Sequence, residues 1–380
     1  MEGVLVPNKS KKHFERLIVF CKKNIVMLIA LFLAVFTSIL VPVDKEYLGY
    51  FDFKTLACLF SVLACVCALK NINFFYMLAS KIVQVFKTTK MSVLGLVYIT
   101  FIGSMLIAND MALLTFLPLG YIVLSSTKKE KYMAFTFIMQ NIAANLGGML
   151  TPFGNPQNLY LYSKFNIPTG EFVSIMVIPF IIAICLITLC CLIFVKNEEI
   201  KIEGEQIKLP PLRTIIYLML FTLSILIVFN FIPYQIGLVI IFFSILLLDR
   251  CAIKQVDYPL LLTFVFFFIF AGNMARIEGV RNLFSFLLGK NTLIFSVISC
   301  QFISNVPSAI LLSQFTNNYR DLLIGVNIGG AGTLIASLAS LITFREYVKH
   351  NPGKTKYYIG MFSLFNFAFL FILTVIMLIL

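Results

Sequence analysis

The stretch NIAANLGGMLTPFGNPQNL, Asn141 to Leu159, decides the fold. It lies inside a long apolar run that begins near Tyr132, and a run of that kind reads as a membrane helix. Yet Gly147, Gly148, Pro152, Gly154 and Pro156 fall in its middle, where each weakens or breaks a helix. Asn145, Thr151, Asn155, Gln157 and Asn158 fall there too. Unpaired backbone and amide groups are costly in lipid, so broken backbone at membrane depth survives only when buried in protein or lining a cavity. A second stretch, NIGGAGTLIASLASL from Asn327 to Leu341, repeats the pattern. One constant offset carries Asn145 onto Asn327, Gly147 onto Gly329, Gly148 onto Gly330, Thr151 onto Thr333 and Leu159 onto Leu341. Broken helices in matching places of two halves point to a binding site near mid-membrane.

The rest of the composition agrees. The 380 residues are 60% hydrophobic and only 12% charged, with a mean hydropathy of +0.97. Apolar runs of about 20 residues, enough for a ~30 Å hydrocarbon core, recur along the whole chain. This is the signature of an all-α polytopic membrane protein with no separate soluble domain. The net charge of +13 reads as basic cytoplasmic loops rather than a nucleic-acid surface. The nine Cys lie mostly in apolar runs, and with two His they show no metal-site spacing. They read as small buried hydrophobes. No small-residue cleavage site follows the first apolar run, so no cleaved signal peptide is expected. A phosphate-binding glycine loop, a His-rich metal set and a nucleophile paired with a base are all missing from the sequence. Neither enzymatic chemistry nor an organic cofactor is expected.

The chain divides into a basic cytoplasmic tail (1–23), a first inverted repeat (24–195), a cytoplasmic loop (196–213), a linking span (214–231) and a second inverted repeat (235–380). Within the first repeat, 91–125 is apolar at both ends and flanked by Lys90 and by Lys128, Lys129 and Lys131. Its polar break is Asn109-Asp110, and each half reads as short for a full crossing. The expectation is a re-entrant hairpin with its tip at Asn109 and Asp110. A second hairpin, 291–315, has its tip at Ser304-Asn305-Val306-Pro307. Segments 71–90 and 276–290 read as amphipathic surface helices, with Arg276, Glu278 and Arg281 as a solvated face. Counting the hairpins as non-crossing leaves about nine crossings. Of the 30 Lys and Arg, only Lys45, Lys54, Lys164, Arg276, Arg281, Lys290 and Arg320 fall on the predicted outer side. That bias puts the N-terminus in the cytoplasm and the C-terminus outside the cytoplasmic (plasma) membrane. An odd number of crossings separates the hairpins, so they enter from opposite faces, as inverted repeats require.

Two tips and two breaks should therefore meet at mid-membrane. IANDMALL (107–114) matches ISNVPSAILL (303–312), with Asn109 on Asn305. Helix N-termini exposed at tips and breaks attract anions, while unwound carbonyls and the oxygens of Asn, Ser and Thr suit sodium. The candidate substrate- and ion-binding residues are Asn109, Asp110, Thr151, Gly154, Asn155, Asn158, Ser304, Asn305, Thr333 and Ser337, with sodium at Asn109, Asp110 and Asn305. Asp110 stands out as the only acidic residue deep in the apolar runs. An ionised group there costs at least ~2.5–3.5 kcal/mol, so it reads as a cation ligand or proton carrier. The plainer alternative is a cap that accepts N–H bonds from the following helix. Gly147, Gly148, Gly329 and Gly330 read as close-packing residues, and Gln140, Gln301 and Gln314 as interhelical hydrogen bonders. A non-transporting membrane scaffold fits less well, because a buried polar centre is costly without a pathway to line.

The segments NDMALLTFLP from Asn109, TPFGNPQN from Thr151, SNVPSAILL from Ser304 and NIGGAGTLIASLASLI from Asn327 resemble the ion transporter superfamily. That group includes citrate and dicarboxylate transporters, divalent anion:sodium symporters, arsenical pump membrane subunits and some sodium/proton antiporters. The resemblance covers essentially the whole chain and is nearest to compact bacterial permeases. It implies a secondary transporter of elevator type, usually a homodimer, carrying a small carboxylate or inorganic anion coupled to sodium or protons. In the symporters a Ser-Asn-Thr triplet at each tip contacts sodium and carboxylate. This chain departs from that pattern, with Ala108-Asn109-Asp110 at one tip and Ser304-Asn305-Val306 at the other. An Asn-Asp tip resembles the arsenite and antiporter branches. The alternative expectation is thus a sodium/proton antiporter or arsenite efflux permease that uses Asp110.

Overall fold

A computed structural model describes residues 24–200 and 208–380. The basic tail and part of the 196–213 loop lie outside the described residues. Among the described residues the chain is helical, and the one strand-like pairing is an isolated bridge between Thr88 and Glu199. Seven helices are long and apolar enough to cross a membrane, and shorter apolar helices accompany them. The chain is a multi-pass membrane protein.

The first half opens with α1 (Ile25–Leu40), α2 (Phe53–Asn71) and the short α3 (Phe74–Gln84). Asp52 starts α2 by accepting the Thr55 N–H (2.9 Å), a standard N-cap. A hairpin follows, made of α4 (Thr89–Ile107) and α5 (Asn109–Ser126). Next come the broken pair α6 (Met133–Gly147) and α7 (Pro156–Lys164), then α8 (Thr169–Phe194). The second half runs through α9 (Pro211–Val228), α10 (Tyr234–Leu248), α11 (Arg250–Gln255), α12 (Tyr258–Arg276) and α13 (Glu278–Lys290). Its hairpin is α14 (Thr292–Ile303) and α15 (Asn305–Leu312), its broken pair α16 (Tyr319–Ile328) and α17 (Leu338–His350), and α18 (Thr355–Ile379) ends the chain. Every residue of α6 is buried, so this helix is the axis of the molecule. Large apolar side chains such as Phe32, Ile39, Leu247 and Phe371 stand exposed on the outer helices, as lipid-facing residues should.

One expectation needs correction here. The arms of the first hairpin are 19 and 18 residues long, each enough for a full crossing. They read as short because the Asn-Asp pair looks like a loop. In fact Ala108 alone turns the chain, and Asn109 is already helical. Arg276 is exposed, as a solvated face requires, and it is also ion-paired. Its guanidinium bonds both Asp44 oxygens (3.1 and 2.6 Å) and Tyr50 (3.1 Å), and pairs with Glu46 (3.3 Å). This ties the end of α12 to the α1–α2 connection, and the Asp44 carboxyl lies below its usual range because of that pairing.

Both ends of the first hairpin meet the segment after α8. Thr89 N–H donates to the Glu198 carbonyl (2.8 Å) and Ile200 N–H to the Lys87 carbonyl (3.0 Å). The Glu198 carboxylate pairs with Lys129 and, at 2.8 Å, with Lys131. These two hydrogen-bonded ammonium groups hold its carboxyl down to about 2. On the opposite side of the core, Asn273 Nδ2 donates to Thr37 Oγ1 (3.2 Å) and Ser38 Oγ (3.3 Å), which seats α12 on α1. Asn71, at the end of α2, donates to Asp249 (2.8 Å), yet the rings of Tyr258 and Phe60 are 6.5 Å apart. Between those contacts α11 climbs beside α2, and α12 begins alongside the middle of α2.

Candidate functional site

The two hairpin tips share one backbone solution. Ala108 has φ 62°, ψ 150° and Ser304 has φ 75°, ψ 160°. This region is adopted almost only by glycine, and a side chain there costs of order 1–3 kcal/mol. Such strain persists where surrounding structure over-determines it, and it concentrates at functional sites. The next residue finishes both turns in the same way. Asn109 Oδ1 accepts the Asp110 N–H and Asn305 Oδ1 accepts the Val306 N–H, each at 2.9 Å.

The two breaks also match. After α6 and α16 the chain leaves helical geometry, then re-enters it at Asn155 (φ −135°, ψ 143°) and Ser337 (φ −146°, ψ 142°). Pro156 suits the first position of α7, where its missing N–H is no loss. Thr151 Oγ1 donates to the Met105 carbonyl (2.7 Å), and Thr333 Oγ1 donates to the Gln301 carbonyl (3.1 Å). Each break is thereby tied to its own hairpin. The glycines are close-packing residues, as expected. A Cβ at Gly147 would stand 2.3 Å from the Phe101 carbonyl oxygen, and one at Gly329 would stand 2.8 Å from Cys300.

The halves then cross. Ser337 Oγ donates to Asn145 Oδ1 (2.8 Å), and Asn155 Nδ2 donates to Asn327 Oδ1 (3.2 Å). The offset that carries Asn145 onto Asn327 also carries Asn155 onto Ser337, so the two bonds exchange under the internal repeat. Asn109 Nδ2 joins the same centre through Asn145 Oδ1 (3.2 Å). A Cβ at Gly330 would lie 3.2 Å from Asn305 Nδ2 and 3.9 Å from Asn145 Cγ, so the second tip arrives there too. Asn145 and Asn327 are the residues the sequence reading left out of the site. Their place at matching ends of the two breaks was the available signal.

Several expected site residues are occupied with internal bonds. Asn158 Nδ2 donates to the carbonyls of Gly148, Met149 and Thr151 (3.2–3.3 Å), while its Oδ1 accepts from Asn327 (2.6 Å). Ser304 Oγ donates to the Ala336 carbonyl (3.1 Å). Thr151 and Thr333 tie the breaks, as above. Gly154 lies where a Cβ would press on the Gly148 carbonyl (2.4 Å). The structure thus brings Asn109, Asn155, Asn305 and Ser337 together around Asn145 and Asn327, and uses Asn158, Thr151 and Thr333 to hold the broken backbone.

What remains unmatched is informative. Asn145 Nδ2, Asn155 Oδ1, Gln157 Oε1 and Asp110 Oδ1 are buried atoms with no hydrogen-bond partner among the described residues. Buried polar groups are paired in the great majority of cases, so such a cluster asks for a ligand. Asp110 does not cap its helix: the helix has no side-chain N-cap bond, and the Asp110 N–H itself donates to Asn109 Oδ1. It faces a cavity beside the tip. It is not the lone acid there: Asp257, just before the apolar run that starts at Tyr258, lines the same cavity.

Fold and site together define a polytopic helical membrane protein built on internal repeats, the class that contains the secondary transporters. Comparison with known sequences supplies the family. Residues 16–318 match the citrate transporter family, and the chain belongs to it. It is a multi-pass membrane transporter of this anion-permease type, with a transport role rather than an enzymatic one. It is similar to an uncharacterized transporter of Methanocaldococcus jannaschii, 37% identical over 301 residues that span 77% of this chain and 81% of that protein. It is also similar to the inner membrane protein YbiR of Escherichia coli, 28% identical over 313 residues, or 81% of this chain and 84% of that protein.

Proposed function

We propose that this transporter is secondary active and moves a small anionic solute, a carboxylate or an inorganic anion, coupled to sodium or protons. The observation that carries this reading is the reciprocal crossing of Asn145 with Ser337 and Asn327 with Asn155, surrounded by unmatched buried polar atoms. Helix N-termini at Asn155 and Ser337 favour an anion, and unmatched carboxamide oxygens favour a hard cation beside it. Bound together, the two ions offset each other's charge in a site where no lysine or arginine makes the central contacts. The hairpins and broken helices form the mobile unit of an elevator and slide against a scaffold that includes α1, α2 and α9 to α12, in a homodimer. The N-terminus is cytoplasmic, the C-terminus external and the membrane the cytoplasmic one.

A second reading is a sodium/proton antiporter or arsenite efflux permease in which Asp110 is the exchanging carboxylate. It rests on the buried, unpaired Asp110 Oδ1. Purified protein in liposomes, under imposed sodium or proton gradients, tests both against citrate, succinate, sulfate, arsenite and sodium. Gradient-driven anion uptake is the expected result. Sodium or arsenite moving against protons, without anion uptake, supports the second reading. Flux of none of these overturns both. Reporters fused after Arg250 and at the C-terminus check orientation, with cytoplasmic and external readings expected.

A further inference from the structure

A cavity of about 60 Å³ lies between the first hairpin tip and the start of α12. Its walls are apolar, with Leu59 and Leu63 from α2, Phe153 and Leu159 from the first break and α7, and Leu338 and Ile342 from α17. Two carboxylates enter it, Asp110 from the tip and Asp257 from the turn before α12, and no lysine, arginine or histidine lines it. Asp110 Oδ1 is buried and unpaired. Asp257 caps α12 with one oxygen, which accepts the Leu260 N–H at 3.0 Å. Among the described residues its second oxygen accepts nothing. From α5, α7, α12 and α17 the cavity receives no other ionisable group.

Two carboxylates facing one apolar cavity, Asp257 with a single oxygen engaged, repel each other, because the surroundings screen charge less than water does. Removing them from water adds to the penalty. We infer that the cavity binds one monovalent cation, sodium or a proton, between Asp110 and Asp257. The cation then bridges the hairpin tip to α12 and holds the two together, so occupancy and hairpin position are linked. This extends the coupling-ion reading of Asp110 given above and assigns its partner.

The test is cation-dependent stability of the full chain in lipid nanodiscs. Thermal unfolding is followed through a sodium titration, with choline holding ionic strength constant, and separately through a pH titration. A ligand that binds only the folded state raises Tm in proportion to its occupancy. Wild type should show this response in one titration, which identifies the cation as sodium or proton. Asp257→Asn retains the cap, since Asn and Asp cap about equally well, and should move the midpoint of that response at least about tenfold. Asp257→Ser, which also caps, should do the same, and Asp249→Asn should leave it in place. A wild-type Tm that follows neither sodium nor pH overturns the inference, as does an unshifted midpoint in both Asp257 variants. The transport reading fails separately. If wild type carries no solute while Asp257→Asn loses its cation response, the cation site stands and transport falls.

Discussion

The two hairpin tips have the same backbone and different chemistry. Ala108 and Ser304 take the same strained conformation, and Asn109 and Asn305 close the same turn. The second tip is then pinned to its own break. Ser304 Oγ and the Asn305 N–H both reach the Ala336 carbonyl (3.1 and 2.9 Å). Behind them Gln301 Nε2 donates to the carbonyls of Gly329 (2.9 Å) and Ala331 (3.3 Å), and its Oε1 accepts the Thr333 N–H (2.9 Å). The first half has Met105 where the second has Gln301, and Asp110 where the second has Val306. Its tip is tied through Asn109 to Asn145 and through Thr151 to Met105. One half spends its polar groups on holding itself. The other leaves a carboxylate facing a cavity. A repeated fold can therefore differ at matched positions, with the second tip pinned to its own break and the first presenting a carboxylate to a cavity.

The largest effect that would break this comparison is loss of either tip asparagine. Asn109→Ala and Asn305→Ala should each abolish solute flux in liposomes while the protein remains folded by size exclusion. Removing one buried amide costs ~1–3 kcal/mol where a partner is left unpaired. Among the described residues Asn305 Nδ2 donates no hydrogen bond, so its loss is read as loss of a ligand contact rather than of a scaffold bond. Normal flux in Asn305→Ala would remove the second tip from the site and leave the first tip to bind alone.

The glycine pair tests whether the two halves are equally tight. Gly147→Ala drives a methyl to 2.3 Å from a backbone oxygen, whereas at Gly329 the nearest atoms, the Cys300 side chain and the Gly325 carbonyl oxygen, stand at 2.8 Å. Overpacking of this kind typically costs 1–3 kcal/mol, or about that range. Gly147→Ala should lower Tm more than Gly329→Ala does. Equal losses would mean that the closer approach at Gly147 is relieved as easily as the one at Gly329.

Gln301→Met is a milder change, because it installs the residue of the first half in the second. The variant loses the side-chain bonds to Gly329, Ala331 and Thr333. Stability should fall by about 1–3 kcal/mol, read as a lower Tm, and the fall should exceed that of Gln314→Met, whose amide bonds Tyr160 and Ile310 at 3.3 and 3.4 Å. An unchanged Tm would show that the second tip does not depend on its pins.

Much of this comparison was legible in the sequence. Glycine and proline inside apolar runs mark both breaks, and the matched motifs align the tips. The crossing of Asn145 to Ser337 was not legible, because it joins residues far apart in the chain and depends on the packing of two halves. The first hairpin arms looked short because one strained residue, Ala108, does the work expected of a loop. Asp257 was missed because depth is a property of the fold: α11 doubles back along α2, so a residue that looks like part of a surface turn arrives beside a cavity. The partners of Arg276 were not legible for the same reason, since Asp44 and Glu46 belong to a distant connection.

The smallest expected effect concerns how the first hairpin is held at its ends. Its tip lacks the pins of the second, but its ends are strapped by Glu198 to Lys129 and Lys131. The Glu198 carboxyl sits at about 2 in the folded protein, below the ~4.3 of an unperturbed glutamate. A carboxyl depressed on folding favours the folded state at pH above its unfolded value. That contribution is lost as pH falls through the folded value. Around neutrality it is therefore constant, and it fades only between about 4.3 and about 2. Glu198→Gln should lower Tm slightly near neutral pH and should lack the extra decline that wild type shows over that acidic window. Salt should shrink the difference between the two, because these groups are exposed to solvent and screened. The effect should remain small, since the backbone bonds from Thr89 to Glu198 and from Ile200 to Lys87 survive the substitution. Identical acid profiles for wild type and Glu198→Gln would assign the strap to those backbone bonds and leave the first hairpin without an electrostatic anchor at either end.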